Sequence, residues 1–435
     1  MKVLENKRWV NWASTSKSIP ASTFYPESIE DVRTVIKKAK ASGKKVRVVG
    51  AGHSFTPLAN CDDYLMCLDR LKRIESIDVI NQTVTVQAGI RLSELGDELA
   101  KQGFAQENLG DINVQSLAGA ISTGTHGTGI QFGNIPSQVE ELTLVTATGE
   151  LLTCSKEKDQ ELFQASLISL GLFGVIVKVK LRIIKAPVYD FRSEKVTFEQ
   201  LQEQLPKWIE ENTHFEFFMF PFSEYIQTKK MKVSSARPQS VRHFHRKNVV
   251  IENYLFYLVS EVCRLYPKSS KRMSQLSAKS VSKQVITANS YDLFTTPRKV
   301  KFVEMEYAIP IEALQDALDE IQKKIKKEQF QVHFPIECRM VAADESWLSP
   351  SYQRKSAYLA FHMYKGMPFE SYFYAMETIM DSYAGRPHWG KWHSKTKKDL
   401  EHLYPKFAAF LKTRNSLDPE HIFINDYLRQ LILGR

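Results

Sequence analysis

The sequence predicts an α+β protein of two main parts. Three observations carry that expectation. Short strand-like runs alternate with amphipathic helices up to Pro187. The run Lys45–Phe55 breaks from a strand straight into a glycine turn. Beyond Pro187 the texture shifts to aromatic strands such as Phe215–Pro221. At 435 residues the chain is long enough to bury two or three cores.

Trp9–Phe24 is aromatic and polar without clear period. Ser28 then reads as the N-cap of a helix carrying Val32, Val35, Ile36 and Ala39 on one face and closed by Gly43. Lys45–Val49 is the organising strand. It runs into Gly50-Ala51-Gly52, with His53 and Ser54 at the end of the turn. Glycines after a strand let backbone approach a ligand, typically a phosphate. A dinucleotide fingerprint fits poorly, because Phe55 takes the place of the third glycine and Pro57 interrupts the helix that should follow. Tyr64–Leu68, Arg73–Asp78 and Thr83–Gln87 read as strands, and Leu92, Leu95 and Leu99 mark a helix ending near Gly103. Asn108–Gly129 is rich in glycine and hydroxyl side chains, a composition able to wrap a large flat ligand, and a long loop of this kind is uncommon without a function. His126 within it, taken alone, reads as a structural histidine. Val139–Val145 and Leu151–Cys154 form a hairpin about Thr148-Gly149, Gln160–Ser169 a helix, and Val175–Ile184 an exposed strand in which Lys and Arg alternate with apolar residues.

Past Pro187, Phe215–Pro221 and Val300–Ala308 read as strands of a second sheet. Ile311–Glu328 is an amphipathic helix. Gln331–Val341 is a strand carrying Glu337 and Arg339, Tyr358–Tyr364 a strand carrying His362, and Met376–Tyr383 a helix. Pro387–His393 is a compact polar and aromatic cluster, and Leu417–Tyr427 closes the chain.

Composition is that of a soluble globular protein, 43% hydrophobic and 25% charged. Lys plus Arg number 59 against 49 Asp plus Glu, an excess that suits an anionic partner and decides little alone. Arg264–Lys283 carries six cations and no acid. It reads first as a solvated helix and loop, with a membrane or anion surface as the rival. Nucleic acid is not expected, since no recognised binding motif accompanies the charges. The five cysteines form no Cys-x-x-Cys pair, and neither a disulfide framework nor a metal cluster is expected. The N-terminus lacks an apolar core of signal-peptide length, and the apolar stretch Val249–Tyr266 is interrupted by Glu252, Glu261 and Arg264. The chain reads as a reduced, cytoplasmic protein.

Gly50-Ala-Gly-His-Ser54, Asn108-Leu-Gly110, Ser122-Thr-Gly-Thr-His-Gly-Thr-Gly129, Glu337-Cys-Arg339, His388-Trp-Gly-Lys391 and Asp418-Pro-x-x-x-Phe423 occur in one order. Together they resemble the flavoproteins of vanillyl-alcohol oxidase type, and among them the sugar-1,4-lactone oxidases, with the alditol oxidases close by. The resemblance runs from about Thr15 to Leu428 and is loose over Ser223–Thr296. It implies a two-subdomain FAD-binding domain over 1–186, an antiparallel-sheet cap domain over 187–411 that covers the flavin ring, and a C-terminal segment, 412–435, returning to the FAD domain. It places Val48, Val49, Gly50, Ala51, Gly52, His53 and Ser54 on FAD, together with Gly110, Asp111, Ser116, Gly119, Thr123, Gly124, Thr125, His126 and Ile176. His53 falls on the histidine that bonds covalently to the flavin 8α carbon, a role a neutral imidazole can fill. Gly110 falls at the oxygen gate, where a glycine leaves room for dioxygen and favours an oxidase releasing H₂O₂ over a dehydrogenase.

By the same resemblance Glu337, Arg339 and Lys391 line the substrate pocket. Two residues apart on a strand, Glu337 and Arg339 face one side. Arg339 and Lys391 can hold a developing alkoxide, Glu337 can bind substrate hydroxyls, and His362 is the candidate base. Without the resemblance, Glu337 and Arg339 read as a structural ion pair. The implied reaction is oxidation of an L-gulono- or D-arabinono-1,4-lactone. An alditol oxidase is the alternative, weakened by Asp111, which stands where those enzymes carry serine. A flavin fold without turnover, binding a membrane or anion, is the rival from another class.

Overall fold

The protein is described here by a computed structural model covering residues 1–295 and 298–435. Thr296, the last residue of the loosely matching middle, and Pro297 lie outside the described residues.

The organising strand, Val46–Val49, ends a four-stranded sheet ordered Lys2–Glu5, Ser22–Tyr25, Tyr64–Cys67, Val46–Val49, and runs parallel to its neighbour. An open strand edge invites unwanted pairing, and here the chain end covers it. The Val46 N–H donates to the Ile422 carbonyl at 2.8 Å. Arg47, 4% exposed, donates to the carbonyls of Phe423 at 2.6 Å and Leu170 at 2.8 Å. Burial pushes its guanidinium down to about 10, and the carbonyl oxygens stand in for the water it has lost. Ile422 and Phe423, late in the chain, thus lie against the first sheet. Helix Ile29–Ala41 packs here as expected, with Ser28 accepting from the Asp31 N–H and Val32, Val35, Ile36 and Ala39 buried.

A second, five-stranded antiparallel sheet runs Leu151–Ser155, Val139–Val145, Val175–Arg182, Thr83–Gln87, Ile74–Asp78. The strand expected to be exposed is its central one. Val177, Val179 and Leu181 are fully buried, while Lys178 on the other face pairs with Glu75 at 2.6 Å. The alternation reported one wet face and said nothing of position in the sheet. Asn108–Gly129 is not all loop either. Leu117–Thr123 is a helix, capped by Ser116 and ended by Gly124 at φ 73°, because Leu117, Ala118, Ala120 and Ile121 give it an apolar face.

The third sheet has eight antiparallel strands, ordered Gln284–Asn289, Val188–Thr197, Tyr225–Val233, His214–Met219, Ile336–Val341, Ser356–Tyr364, Phe302–Pro310, Arg386–Pro387. The strand expected from Gln331 begins only at Ile336, since Pro335 has no N–H to give a ladder. The helix expected at Met376 starts earlier, at Glu370. Helices Phe198–Glu211, Leu314–Glu328 and Glu370–Ser382 cover one face, burying Leu201, Leu318 and Phe373 against Phe217, Met305 and Phe361. The other face meets the glycine-rich segments. The Gly129 N–H donates to Met340 O at 2.8 Å and the Phe55 N–H to Gly390 O at 2.7 Å.

Candidate active site

Two cavities adjoin where those segments meet the third sheet. Both have His53, Ser54, Gln115 and Thr123 in their walls. The smaller, about 120 Å³, is walled by the glycine turn. Val48, Val49, Gly50, Ala51, Gly52, Ser116, Gly119 and Ile176 all line it. A Cβ on Gly50 would lie 2.0 Å from Ser116 Oγ, so only glycine fits this close approach. Gly52, at φ 69°, adopts a backbone that other residues resist. The larger cavity, about 630 Å³, is lined by Gly110, Asp111, Thr125 and His126 from the first half and by Glu337, Arg339, His362 and Lys391 from the second. Gly124 lines neither. A Cβ there would face Ile168.

The residues present fit a flavin. The glycine turn is a backbone cradle that a Cβ would fill. Gln115 Oε1 and Thr125 Oγ1 are buried polar atoms with no hydrogen-bond partner among the described residues, and both side chains border the larger cavity. A buried polar atom left unpaired is costly, so a polar ligand is the natural partner.

His53 sits at the junction of the two cavities. Its ring stacks on Trp12, centroids 5.3 Å apart and planes at 25°. Neither ring nitrogen has a hydrogen-bond partner among the described residues. Burial, then the charges of Lys391 and Arg91, push its pKa down to about 4. At neutral pH it is an uncharged imidazole with a free nitrogen.

Sheet register assembles the wall opposite. Arg339 stands across from Glu216 on one side and Tyr358 on the other. In the next row Glu337, Ala360 and Glu306 line up, and Glu304 stands across from His362. Arg339 is gripped by three carboxylates: Nε donates to Glu216 at 2.9 Å, and Nη2 lies 2.9 Å from Asp111 and 2.6 Å from Glu337. Arg298 holds the other Asp111 oxygen at 2.5 Å and reaches Glu252 at 3.1 Å. Lys229 holds Glu216 at 3.1 Å. Burial would raise the Asp111 pKa, but the two arginines and Lys229 hold it well below the usual carboxylate range. Glu337 goes the other way. Burial is the main cause and Asp111 and Glu216 add to it against the pull of Arg339, which leaves its carboxyl at about 7.

The second cluster centres on Lys391, whose Nζ donates to Glu304. His362 lies on the other Glu304 oxygen at 3.5 Å and gives its Nδ1 to the Pro335 carbonyl at 3.2 Å. Burial opposes ionisation of Glu304, but Lys391 and His362 bring it down to about 2. His126 contacts Glu306 at 3.1 Å and the Gly127 carbonyl at 2.9 Å. His388 accepts the Gly390 N–H on Nδ1 at 3.0 Å, which leaves the proton of its neutral ring on Nε2.

The sequence profile described as D-arabinono-1,4-lactone oxidase matches residues 179–431, and one described as FAD binding domain matches residues 20–155. The chain belongs to the D-arabinono-1,4-lactone oxidase family. As a member it carries the family's FAD-binding domain, and FAD is its cofactor. It is 38% identical to the L-gulono-1,4-lactone dehydrogenase of Mycobacterium tuberculosis, over 98% of this chain and 99% of that protein. It is 33% identical to the L-gulonolactone oxidase of Bos taurus, over 98% of each. A solved structure described as a solvent-stable cholesterol oxidase superposes with a TM-score of 0.84, covering 99% of this chain and 98% of that one at 19% identity, and so shares its fold.

In this lactone-oxidase family member, Glu304 and Glu306 are acidic groups that sequence reasoning passed over, although Phe302-Val-Glu-Met-Glu306 places two carboxylates on one face of an expected strand. Glu216, Lys229 and Arg298 were passed over too, and His388 was named only within the His388-Trp-Gly-Lys391 motif, without a role. Nothing local marks the first three, since each owes its place to sheet register or a long-range ion pair. The ion pair expected of Glu337 and Arg339 exists, as part of a larger network.

Proposed function

We propose that the protein is an FAD-dependent oxidase of a sugar-1,4-lactone of the L-gulono or D-arabinono type. The observation that carries this is the convergence of Lys391, Arg339, His362 and His53 on one cavity of about 630 Å³. The names of its relatives, lactone oxidases and dehydrogenases, support the substrate class. Bound FAD supplies the hydride acceptor and passes the electrons on to dioxygen. The chain's own groups handle the hydroxyl. His362 Nε2 takes its proton, with Glu304 beside it to stabilise the resulting cation. Lys391 Nζ and Arg339 Nη1, which carries no hydrogen bond among the described residues, steady the alkoxide. Glu337, protonated or not as pH dictates, binds the ring hydroxyls.

His53 is the proposed point of covalent attachment. Forming the bond to the 8α carbon removes one hydrogen from each partner, and dioxygen takes the two electrons. The free, neutral ring nitrogen supports this. Acid precipitation tests it. The wild-type pellet should be yellow and the His53→Ala pellet white, and a yellow His53→Ala pellet would exclude His53.

Dioxygen is the proposed acceptor, supported by glycine at position 110. The same glycine has a packing reason, since a Cβ there would lie 2.9 Å from the His126 carbonyl oxygen. The reaction is tested by anaerobic mixing with each lactone, followed by air. Bleaching of the flavin and one H₂O₂ per turnover are expected. Bleaching by alditols alone would assign the alternative substrate class. Bleaching by lactone that air does not reverse would make the protein a dehydrogenase.

A further inference from the structure

One surface of the molecule carries a contiguous set of exposed apolar side chains. Residues 242–265 form one continuous helix, Arg242–Val249 and Phe256–Leu265 joined through a π-helical turn at Val250–Leu255. A surface helix normally buries its apolar stripe and shows polar groups to water. This one turns Phe256 and Val259 toward the core and leaves most of its other apolar side chains in water, while small polar groups fill much of its inner face. Its inner face carries Asn248, Asn253, Ser260 and Cys263, none more than 7% exposed. Asn253 Oδ1 accepts the Lys299 N–H at 2.7 Å, Asn248 bonds Gln284 at 3.2 Å and Ser260 bonds His333 at 3.0 Å. Its outer face carries Tyr254, Leu255, Leu258, Val262, Leu265 and Tyr266. Leu258 is 60% exposed, Leu265 62% and Tyr266 69%. Among the described residues, 10 of the 21 large hydrophobic side chains that stand exposed fall between Val250 and Leu276. Scattered exposed leucines are ordinary, but a contiguous set marks a contact surface.

Charge identifies what that surface touches. From Arg242 to Lys283 the chain has nine Lys and Arg and two acids. All nine cations are exposed. Both acids are already engaged, Glu252 with Arg298 and Glu261 with Arg264 and Tyr364. An apolar stripe with tyrosines, flanked by cations, has the chemistry of a helix that lies in the interface of an anionic bilayer. No helix among the described residues is long and apolar enough to cross a membrane, so the contact is with one leaflet. The basic run alone had read as a solvated helix. The apolar stripe beside it changes that reading.

We propose that this face docks on an anionic lipid bilayer, with the helix 242–265 lying in the headgroup layer. Ile251, Leu255, Leu258 and Leu276 both stand exposed here and line the larger cavity, so docking sets the cavity mouth at the lipid surface. The inference rests on the surface alone and is independent of the lactone reading.

The test is co-sedimentation of the holoenzyme with vesicles of phosphatidylcholine, alone or mixed with phosphatidylglycerol. Binding to the mixed vesicles, weakened by salt and nearly absent on phosphatidylcholine alone, is expected. Leu265→Ser with Tyr266→Ser should weaken partition on the order of 100-fold. Neither residue lines the cavity, so flavin content and turnover in vesicle-free solution should hold. Lys268→Glu with Arg272→Glu should remove the preference for phosphatidylglycerol. No pelleting with mixed vesicles, or full pelleting of the Ser variant, would overturn the proposal. So would a dimer in sedimentation velocity that the Ser variant dissolves, which would assign the face to a second copy of the chain.

Discussion

Glu337→Gln separates the charge of the Arg339 cluster from its shape. Four carboxylates, Asp111, Glu216, Glu252 and Glu337, surround three cations, Lys229, Arg298 and Arg339. With Glu337 protonated and the rest ionised, the buried charges balance. That is the physical content of a carboxyl raised from 4.5 to about 7 by burial and then by Asp111 and Glu216. A group whose native pKa lies above its unfolded value holds its proton more tightly when folded. Its stabilisation is full below the unfolded pKa and is lost as pH rises through the native one. The rise from 4.5 to about 7 makes the loss about 3 kcal/mol between about pH 4.5 and pH 8. Glutamine keeps the neutral shape and cannot ionise. Urea unfolding followed by tryptophan fluorescence should therefore show wild type losing stability relative to Glu337→Gln across that window. The two should be similar near pH 4 and about 3 kcal/mol apart near pH 8. Taking the difference cancels the titrating groups that do not interact with Glu337. A difference that stays constant with pH would show that Glu337 is ionised throughout and that the charge argument is wrong.

Lys391→Met removes the cation from the proposed alkoxide site and should lower turnover at least ~100-fold while the protein stays yellow. It also leaves Glu304, 5% exposed, without its main partner, so stability should fall by about 3–5 kcal/mol, measured by urea midpoint. Gly50→Ala should abolish flavin retention, read from the visible spectrum, because its Cβ would lie 2.0 Å from Ser116 Oγ. Gly96→Ala, in helix Leu92–Lys101 with nothing within 4 Å of its Cβ, should instead stabilise by about 0.5–1 kcal/mol.

What could be read before the structure was whatever local spacing or turn chemistry expresses. Ser28 and the Val32–Ala39 stripe named a helix correctly, and the turn after Val49 announced itself because glycine has no substitute there. Glu337 and Arg339 could be placed on one face of a strand by parity alone. Their environment could not, since Arg339 meets Glu216 through a register spanning 123 residues of sequence. Glu304 and Glu306 had a legible signal. They lie in a strand whose residues from Phe302 to Ile309 are all buried, so alternation of polar and apolar side chains was diluted by burial on both faces. The helix 242–265 was missed for a related reason. Its apolar residues recur at helical spacing, as in any core-facing helix, and only the tertiary structure shows which side faces out.

The charge balance also bears on which form of the substrate the site accepts. A sugar-1,4-lactone is uncharged, whereas its hydrolysis product, the aldonate, carries a carboxylate. Arg339 and Arg298 look at first like anchors for such an anion. Each is already committed, Arg339 to Glu216, Asp111 and Glu337 and Arg298 to Asp111 and Glu252. Lys391 is likewise held by Glu304. An aldonate would have to displace a buried carboxylate from its cation or bring a fourth negative charge beside three, and either costs several kcal/mol in a desolvated site. The cations of this cavity can polarise a hydroxyl and share in the charge that develops on it, Arg339 through Nη1, but their full charge is already matched by buried carboxylates, which disfavours adding a permanent anion. With freshly dissolved lactone and separately with the same sugar fully hydrolysed, kcat/KM should differ at least ~100-fold in favour of the lactone. In Glu337→Gln the gap should narrow above pH 7, because one competing carboxylate has been neutralised. Comparable turnover of the aldonate by wild type would mean that Arg339 or Arg298 is released from its partners when substrate binds, and would refute the pairing argument.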